Sequence, residues 1–308
     1  MTPSSDRFYA EIDVTDWPLA GAEVLGTKPK RWLREPAADS ESDTRKRWLM
    51  KDTTHSRPVG RPTYAKGDDW AERIATGVAD RLGLPAARTE LASRTIDGQA
   101  EFGVISRSVL DEAEKLVHGH ELLQGAMSRF QRVEYTIEAI QRAIGDMAPP
   151  LGTPSELSAW DVFAGYLLLD ALIGNTDRHE ENWAVIQRGD ESLRLAPTFD
   201  HASSLGFMLA DEDRQSRLST RDRGFAPERW AERGRSCFQG RRRLVEVALS
   251  ARGMMPSEVR DHWLERCQDV DRLVEPIRLV PHGRMSQPAR DFAERVLRHN
   301  AKRLLEEE

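Results

Sequence analysis

The chain has 308 residues and a mass of 34.9 kDa, which allows one large domain or two lobes. Its formal net charge of −6 argues against a globally cationic nucleic-acid-binding protein, and two cysteines are too few for a disulfide framework or a cysteine-rich zinc site. No stretch approaches the ~20 apolar residues that span a bilayer, and the N-terminus lacks the features of a signal peptide. We therefore expect a cytoplasmic protein with no membrane partner.

The first third of the chain predicts short strands around one helix. Residues 31–33 and 47–51 have strand-like patterns, and the second run ends in a lysine. A helix capped by Asp68 or Asp69 follows, because apolar residues then recur every four positions until Gly83.

Two more strand-like runs, residues 86–92 and 101–106, are separated by Asp97 and Gly98, a pair typical of a tight hairpin turn. Strands, one helix and then a hairpin predict a small α+β lobe. From about residue 109 onwards the pattern becomes mainly helical.

The clearest helix of the second part is predicted to begin at Thr153. Pro154 would occupy the first helical position, and Glu156 would complete a capping box with Thr153. The apolar residues that follow recur every three or four positions, and the helix is predicted to end at Gly174.

A polar loop, residues 175–182 (NTDRHEEN), follows this helix. A predicted strand pair, residues 183–186 and 193–195, then returns the chain to Asp200, which would lie beside Asn182. Several carboxylates in one place repel one another unless a cation joins them, and oxygen ligands of this kind suit Mg²⁺.

Asp177 and Asn182 have the spacing of the catalytic loop in phosphoryl-transfer enzymes. In that loop an Asp orients the attacking hydroxyl, an Asn five residues later holds metal, and a later Asp holds metal as well. The spacing alone is a weak signal, but its position between a capped apolar helix and a strand pair that leads to Asp200 strengthens it.

The run LDALIGNTDRHEENW, residues 169–183, followed by LAPTFD, residues 195–200, resembles the catalytic core of the HipA-like serine/threonine kinases. That family is distantly related to the phosphatidylinositol 3- and 4-kinases. The resemblance implies a two-lobed, protein-kinase-like α+β fold. Residues 1–107 would form a small, strand-rich nucleotide-binding lobe, and residues 108–308 a mainly helical catalytic lobe.

The same resemblance assigns roles to the polar residues. It makes Asp177 the catalytic base and Asp200 the second metal ligand. Asn182 would be both a Mg²⁺ ligand and a catalytic residue. Asp200 is followed by His-Ala rather than Phe-Gly, so activation rules that depend on the Phe do not transfer.

In the N-terminal lobe, the resemblance makes Lys51 the nucleotide-binding and catalytic lysine that reaches the α- and β-phosphates. Glu72 resembles the acid that pairs with this lysine. Lys28 lies in the turn that takes the place of the phosphate-covering loop, which has few glycines here. The residues whose backbone groups are predicted to meet adenine are Val104, Ile105 and Ser106.

The resemblance thus implies an ATP- and Mg²⁺-dependent enzyme that transfers the γ-phosphoryl group to a Ser or Thr hydroxyl of a protein, itself included. An antitoxin-like protein is the further partner that it implies, and no direct nucleic-acid binding is expected. Three alternatives stay open: a small-molecule or phosphatidylinositol-type lipid kinase, an enzyme that transfers another part of the nucleotide, and a degenerate kinase that only binds.

Two features are left undecided by the residues. Arg178 is compatible with neutralising nearby carboxylates and with a structural role. Residues 241–243, three consecutive arginines, are interpreted as a solvated helix face, with docking of an acidic or nucleic-acid surface as the alternative.

Overall fold

The computed structural model describes residues 8–23, 30–36, 44–126 and 135–306. The strands are β1 (Glu11–Asp13), β2 (Leu19–Glu23), β3 (Lys30–Arg34), β4 (Arg47–Asp52), β5 (His55–Ser56), β6 (Tyr64–Ala65), β7 (Thr89–Ile96), β8 (Gln99–Arg107), β9 (Lys115–His118), β10 (Ala184–Gln187) and β11 (Leu193–Leu195). The helices are α1 (Asp68–Leu82), α2 (Gly119–Ala126), α3 (Ile137–Ile144), α4 (Ala159–Ile173), α5 (Asp211–Ser219), α6 (Pro227–Glu232), α7 (Leu244–Gly253), α8 (His262–Glu265), α9 (Val270–Arg278) and α10 (Gln287–Glu306).

Six strands of the N-terminal part form one sheet in the order β1-β7-β8-β4-β3-β2. The pairs are antiparallel except for β1 with β7. Strand β4 is central, and its Lys51 lies opposite Lys30 on β3 and Val104 on β8. The predicted hairpin is present, because Asp97 and Gly98 both adopt the positive φ that a tight two-residue turn requires.

Helix α1 covers one face of this sheet and ends as predicted at Gly83, which has a left-handed φ of 73°. Its start differs from the predicted cap at Asp68 or Asp69. The N-cap residue is Gly67, so no side chain caps the helix. Asp68 is used otherwise: its carboxylate accepts hydrogen bonds from the backbone N–H and the hydroxyl of Thr54, at 3.1 and 2.7 Å. The acid therefore fixes the connection between β4 and α1 rather than capping the helix.

Helix α4 begins later than predicted. Ser158 is the N-cap, and it forms a capping box with Asp161, in which each side chain accepts the other residue's backbone N–H. The predicted box at Thr153 is not formed, and residues up to Leu157 make turns instead. Two successive capping signals occur in this stretch, and the structure uses the one that adjoins the fully buried part of the helix.

The C-terminal part is mainly helical around a core that includes α4, α7 and α10. The predicted strand pair is confirmed as β10 and β11, and β9, which was not predicted, pairs with the other edge of β10. Residues 244–253 and 287–306 form α7 and α10, whereas the stretch 256–267 contains only the short α8. No helix in the described part of the chain is both long and apolar enough to cross a membrane.

Candidate active site

A cavity of about 370 Å³ lies between the six-stranded sheet and the helical part of the chain. Lys51 from β4 lines it, as do Asp177 and Asn182 from the loop after α4 and Asp200 from the segment after β11. Four residues that the sequence separates by up to about 150 positions therefore share one cavity. Its volume falls within the range of about 300–1,000 Å³ that is usual for small-molecule sites. Apolar side chains that also line the cavity include Leu49, Val104, Val109 and Leu116.

The electrostatic centre of the site is a carboxylate held by two lysines. The Lys51 Nζ atom lies 2.9 Å from Asp200 Oδ1, and the Lys30 Nζ atom lies 3.3 Å from Asp200 Oδ2. Burial disfavours the charge on Lys51, but Asp200 and Glu72 outweigh this effect and raise the pKa of the ammonium group. Burial likewise opposes ionisation of Asp200, and the two lysines overcome it and hold the pKa of the carboxyl far below its usual range.

Glu72 is in a different place from the one its predicted pairing requires. Among the described residues, the carboxylate within salt-bridge distance of Lys51 is that of Asp200, not Glu72. The Glu72 side chain is 1% exposed, and its Oε2 atom accepts a 2.7 Å hydrogen bond from the backbone N–H of His201. Burial raises the pKa of Glu72, but the charge of Lys51 and the His201 side chain, whose Nδ1 atom lies 3.5 Å from Glu72 Oε1, lower it overall. Glu72 therefore acts on Lys51 at longer range and holds the residue that follows Asp200.

Asp177 and Asn182 belong to one closed loop. The Asn182 Nδ2 group donates a 2.7 Å hydrogen bond to the backbone carbonyl of Asp177, so that its Oδ1 atom is the oxygen available to a ligand. The Asp177 side chain is 49% exposed, and its Oδ2 atom accepts a 3.2 Å hydrogen bond from the Ser203 hydroxyl. The base expected from the sequence is thus held from one side and open to solvent from the other.

Arg178, which the sequence left undecided, is a structural residue. Its guanidinium group is 2% exposed and forms two 2.8 Å hydrogen bonds with the carboxylate of Asp170, near the end of α4. The same group donates to the backbone carbonyls of Asn182, at 2.6 Å, and Phe199, at 3.4 Å. One buried arginine therefore joins the end of α4, the polar loop and the residue before Asp200.

Asp200 itself has a φ of 60°, in the left-handed region that residues other than glycine rarely adopt. Such a conformation costs of order 1–3 kcal/mol and persists only where the surroundings impose it. Here the ion pairs of its side chain and the hydrogen bond from the next N–H to Glu72 supply those surroundings. The chain is therefore turned so that the carboxylate points into the cavity.

The backbone groups predicted to meet adenine need a correction. Strand β8 is paired with β7 on one edge and with β4 on the other, so the backbone of Val104, Ile105 and Ser106 is used by the sheet. The Ile105 side chain is also buried among apolar residues on the opposite side of the strand from Val104. Beyond the end of β8, Ser108 and Val109 line the cavity. The Ser108 N–H is itself engaged, because it donates to the Arg47 carbonyl at 2.9 Å.

Of the predicted phosphate-covering loop, residues 26–30, all but the last residue lie outside the described residues, and Lys28 is among them. The last residue, Lys30, begins β3 and contacts Asp200 directly, a contact that was not predicted. Its position opposite Lys51 in the β3–β4 register is the signal that identifies it, because paired residues on neighbouring strands point to the same face.

The set of side chains fits a metal that is shared with a ligand rather than one held by the protein alone. Among the described residues, no group of three His, Cys, Asp or Glu side chains is placed to hold a metal ion. Asp200 and Asn182 offer one carboxylate and one amide oxygen, which matches the way in which Mg²⁺ is bound by one or two protein groups together with substrate phosphates.

Comparisons with known proteins bear on the family and the fold of this chain. The family model for the HipA-like C-terminal domain matches residues 20–268. The crystal structure of the Helicobacter pylori proinflammatory kinase CtkA has a TM-score of 0.72 at 17% identity, over 96% of this chain and 95% of that one. HipA in the Shewanella oneidensis MR-1 toxin–antitoxin complex with HipB and operator DNA has a TM-score of 0.55 at 10% identity, over 93% of this chain and 67% of that one. No curated protein matches the sequence. At such identities the likeness concerns the fold, and the predicted α+β kinase-like fold is confirmed.

Proposed function

The chain belongs to the HipA-like C-terminal domain family, and on that premise we propose that it is an ATP- and Mg²⁺-dependent protein kinase. The observation that carries the proposal is the shared cavity, in which Lys51, Asp177, Asn182 and Asp200 come together from separate parts of the chain. These residue types in one cleft are those that phosphoryl transfer uses for positioning and for charge neutralisation.

Lys51 is proposed to bind the phosphates of ATP. It is a cation with a 13% exposed side chain, and its partner in this structure is the carboxylate of Asp200. Lys30 makes a second contact with the same carboxylate and is positioned to do likewise. When a nucleotide brings its own negative charge into the cavity, both ammonium groups gain phosphate oxygens as partners. The apolar side chains of Leu49 and Val104 offer a surface for the base.

Asp200 and Asn182 are the residues that would hold Mg²⁺, through a carboxylate oxygen and the amide Oδ1. When bound, the ion neutralises the negative charge on the phosphate oxygens. The low pKa of Asp200 keeps this carboxylate ionised, as a metal ligand must be. Glu72 and Arg178 contribute by position, since they hold the backbone on either side of Asp200.

Asp177 is proposed to orient the acceptor hydroxyl and to take up its proton. The hydroxyl oxygen forms a bond with the γ-phosphorus, while the bond between that phosphorus and the β–γ bridging oxygen breaks and ADP leaves. Half of the Asp177 side chain is exposed, which suits an acceptor presented by a macromolecule. The Ser203 hydroxyl holds one carboxylate oxygen and leaves the other to the acceptor.

The experiment is phosphoryl transfer from γ-labelled ATP with Mg²⁺ to the protein itself, to Ser and Thr peptides and to non-protein alcohols. We expect Asp177→Ala and Lys51→Met to lower transfer by about a hundredfold or more. Asp190→Ala, in the exposed turn between β10 and β11, and Lys302→Met, exposed on α10, are the matched controls.

Normal transfer by well-folded Asp177→Ala and Lys51→Met variants contradicts the proposal. Labelling of the alcohols but not of the peptides identifies a small-molecule or lipid kinase, and labelling from α-labelled instead of γ-labelled ATP identifies transfer of the nucleotide part. Binding of ATP without any transfer identifies a degenerate kinase.

A further inference from the structure

An arginine-rich segment, residues 214–243, runs from α5 to the start of α7. It contains ten arginines and three acidic residues, a net charge of +7, in a chain whose net charge is −6. Partial burial and the nearby positive charge of Arg233 both lower the pKa of Arg217. Positive charge is therefore concentrated in one stretch of a chain that is acidic as a whole.

The three acidic residues of this segment are already engaged. Glu228 accepts a 2.6 Å hydrogen bond from Arg295 on α10, and Glu232 accepts one of 2.7 Å from Arg229. Asp222 accepts a 2.8 Å hydrogen bond from a backbone N–H of its own turn. The local acids consequently do little to neutralise the remaining arginines.

Four arginines of the segment form what we call the basic surface: Arg221, Arg223, Arg235 and Arg241. All four are exposed, and no carboxylate of the described residues lies within salt-bridge distance of any of them. Arg241 has a φ of 47°, which is unfavourable for a residue with a side chain, and it follows Gly240 at 78°. The backbone is thus kept in a turn that presents Arg241 to solvent.

The basic surface is attached to the proposed catalytic loop. The Cys237 Sγ atom donates a hydrogen bond to the backbone carbonyl of Thr176, at 3.2 Å, and Thr176 is the residue before Asp177. Arg235 lies two residues before this contact. The Arg233 side chain donates to the backbone carbonyl of Gly224, at 3.3 Å. This hydrogen bond joins the loop that carries Arg221 and Arg223 to the stretch that carries Arg235.

A second contact fixes the part of the basic surface that carries Arg241. The ring of Phe238 stacks on Tyr135 at 4.7 Å between centroids, and the Tyr135 hydroxyl donates to the backbone carbonyl of Arg178, at 2.9 Å. The N–H of Arg241 donates in turn to the carbonyl of Phe238, at 2.9 Å. Arg235 and Arg241 therefore lie within three residues of positions that are fixed against the loop carrying Asp177.

The surface is better suited to a polypeptide than to a nucleic acid. Single-stranded nucleic acids are usually bound by stacking of their bases on open aromatic faces. The exposed aromatic residue of this segment, Phe225, is covered by the guanidinium group of Arg217 at 4.3 Å. Trp230 packs its ring against Phe292 at 5.2 Å. Arg217 thus occupies one face of the Phe225 ring, and the Trp230 ring is engaged with the core residue Phe292.

We propose that the acceptor hydroxyl lies in an acidic polypeptide segment. The Asp and Glu side chains of that segment bind the basic surface while its hydroxyl lies against the carboxylate of Asp177. This inference rests on the proposed kinase function and names its substrate class. The arginines are specificity-determining residues, because they select the acceptor by charge and take no part in the transfer itself.

The test uses the full chain, γ-labelled ATP with Mg²⁺, and Ser-centred peptides that differ only in whether the flanking residues are Glu, Gln or Lys. We expect kcat/KM to be about tenfold higher for the Glu peptide than for the Lys peptide, and this ratio to fall as salt is added. In the double variant Arg235→Glu, Arg241→Glu we expect the ratio to drop to about one or below. The matched control, Arg260→Glu with Arg272→Glu, makes the same charge change at exposed arginines near α8 and on α9, and should keep the ratio.

Transfer that is equal for the three peptides, or a ratio that the Arg235 and Arg241 changes leave intact, overturns the inference while the kinase function stands. Transfer to no acceptor overturns both. Duplex and single-stranded DNA are offered in the same assay as competitors. DNA binding that the double variant abolishes, without any charge preference among the peptides, assigns the surface to nucleic acid and also overturns the inference.

Discussion

Lys30 Nζ lies 3.3 Å from Asp200 Oδ2, although 170 residues separate them in the chain. The contact spans the cavity, since Lys30 begins β3 in the sheet and Asp200 follows β11 in the helical part. Lys30 and Lys51 both contact Asp200, the proposed metal ligand. Two ammonium groups, not one, are therefore available to phosphates once a metal ion binds Asp200.

Lys30→Ala is therefore expected to raise the KM for ATP by about tenfold, with a smaller change in kcat, because a charge-assisted hydrogen bond to a phosphate is lost in the bound state. Steady-state kinetics at saturating acceptor measure both constants. Lys115→Ala, at an exposed position of β9, is the matched control and should leave the KM unchanged. A KM for ATP that is identical in Lys30→Ala and the unaltered protein would remove Lys30 from the nucleotide site.

Glu72→Gln is expected to lower the free energy of unfolding at neutral pH by about 1–3 kcal/mol, since Gln keeps the hydrogen bond from the His201 N–H but loses the charge that acts on Lys51. Burial raises the pKa of Glu72, and the opposing effects of Lys51 and His201 bring it below 4.5 in the folded protein. The stabilisation by the carboxylate is thus present above pH 4.5 and is lost as the pH falls below it.

Urea unfolding as a function of pH measures this effect. The difference between the unaltered protein and Glu72→Gln should shrink as the pH falls. Glu138→Gln, at an exposed position in the first turn of α3, should show no comparable difference at any pH. A difference for Glu72→Gln that grows with acidity would refute the expected sign.

Arg178→Ala is expected to cost about 3–5 kcal/mol, because it leaves the buried carboxylate of Asp170 without its partner. Arg178→Lys keeps the charge but cannot form both hydrogen bonds to the carboxylate, so an intermediate loss is expected. Denaturant unfolding measures the changes. Arg188→Ala removes an arginine that is 60% exposed and 3.5 Å from Glu114, and should cost at most about 1 kcal/mol. Equal effects at the two positions would show that the buried pair does not hold the loop.

Gly174→Ala is expected to cost about 1–2 kcal/mol, because Gly174 ends α4 with a left-handed φ of 68°. The cost is conformational, since an added Cβ would approach nothing closer than Val296, at 3.7 Å. Gly189→Ala, in the turn between β10 and β11, is the control: it lacks such a φ, and its Cβ would have no neighbour within 4 Å. Thermal unfolding of both variants provides the measurement. A Gly174→Ala variant that is as stable as Gly189→Ala would contradict the expected conformational cost.

Local patterns predicted much of this structure. The apolar period of four placed α1, the Asp97-Gly98 turn placed the β7–β8 hairpin, and the strand pair brought Asp200 back to the polar loop. These features depend on neighbours in the chain, which a sequence displays directly.

The remaining features depend on contacts between distant segments. Whether Lys51 pairs with Glu72 or with Asp200 is decided by how the sheet and the helical part meet, and Lys30 enters the site only through its register with β4. The backbone of Val104 is unavailable to a ligand because β7 and β4 flank β8, which is a property of strand order. Helix α4 is capped by Ser158 and not by Thr153, and the local sequence carries a capping signal at both positions.

The close approach of α1 and α9 limits how the cleft can open. A Cβ at Gly77 would lie 2.9 Å from the Cβ of Pro276, so the two helices are in near contact at this point. Ile74 on α1 is also fully buried in the core that the C-terminal helices share. The helix that carries Glu72 is therefore anchored to the C-terminal helices. A wider entrance would require strands of the sheet to move relative to Glu72.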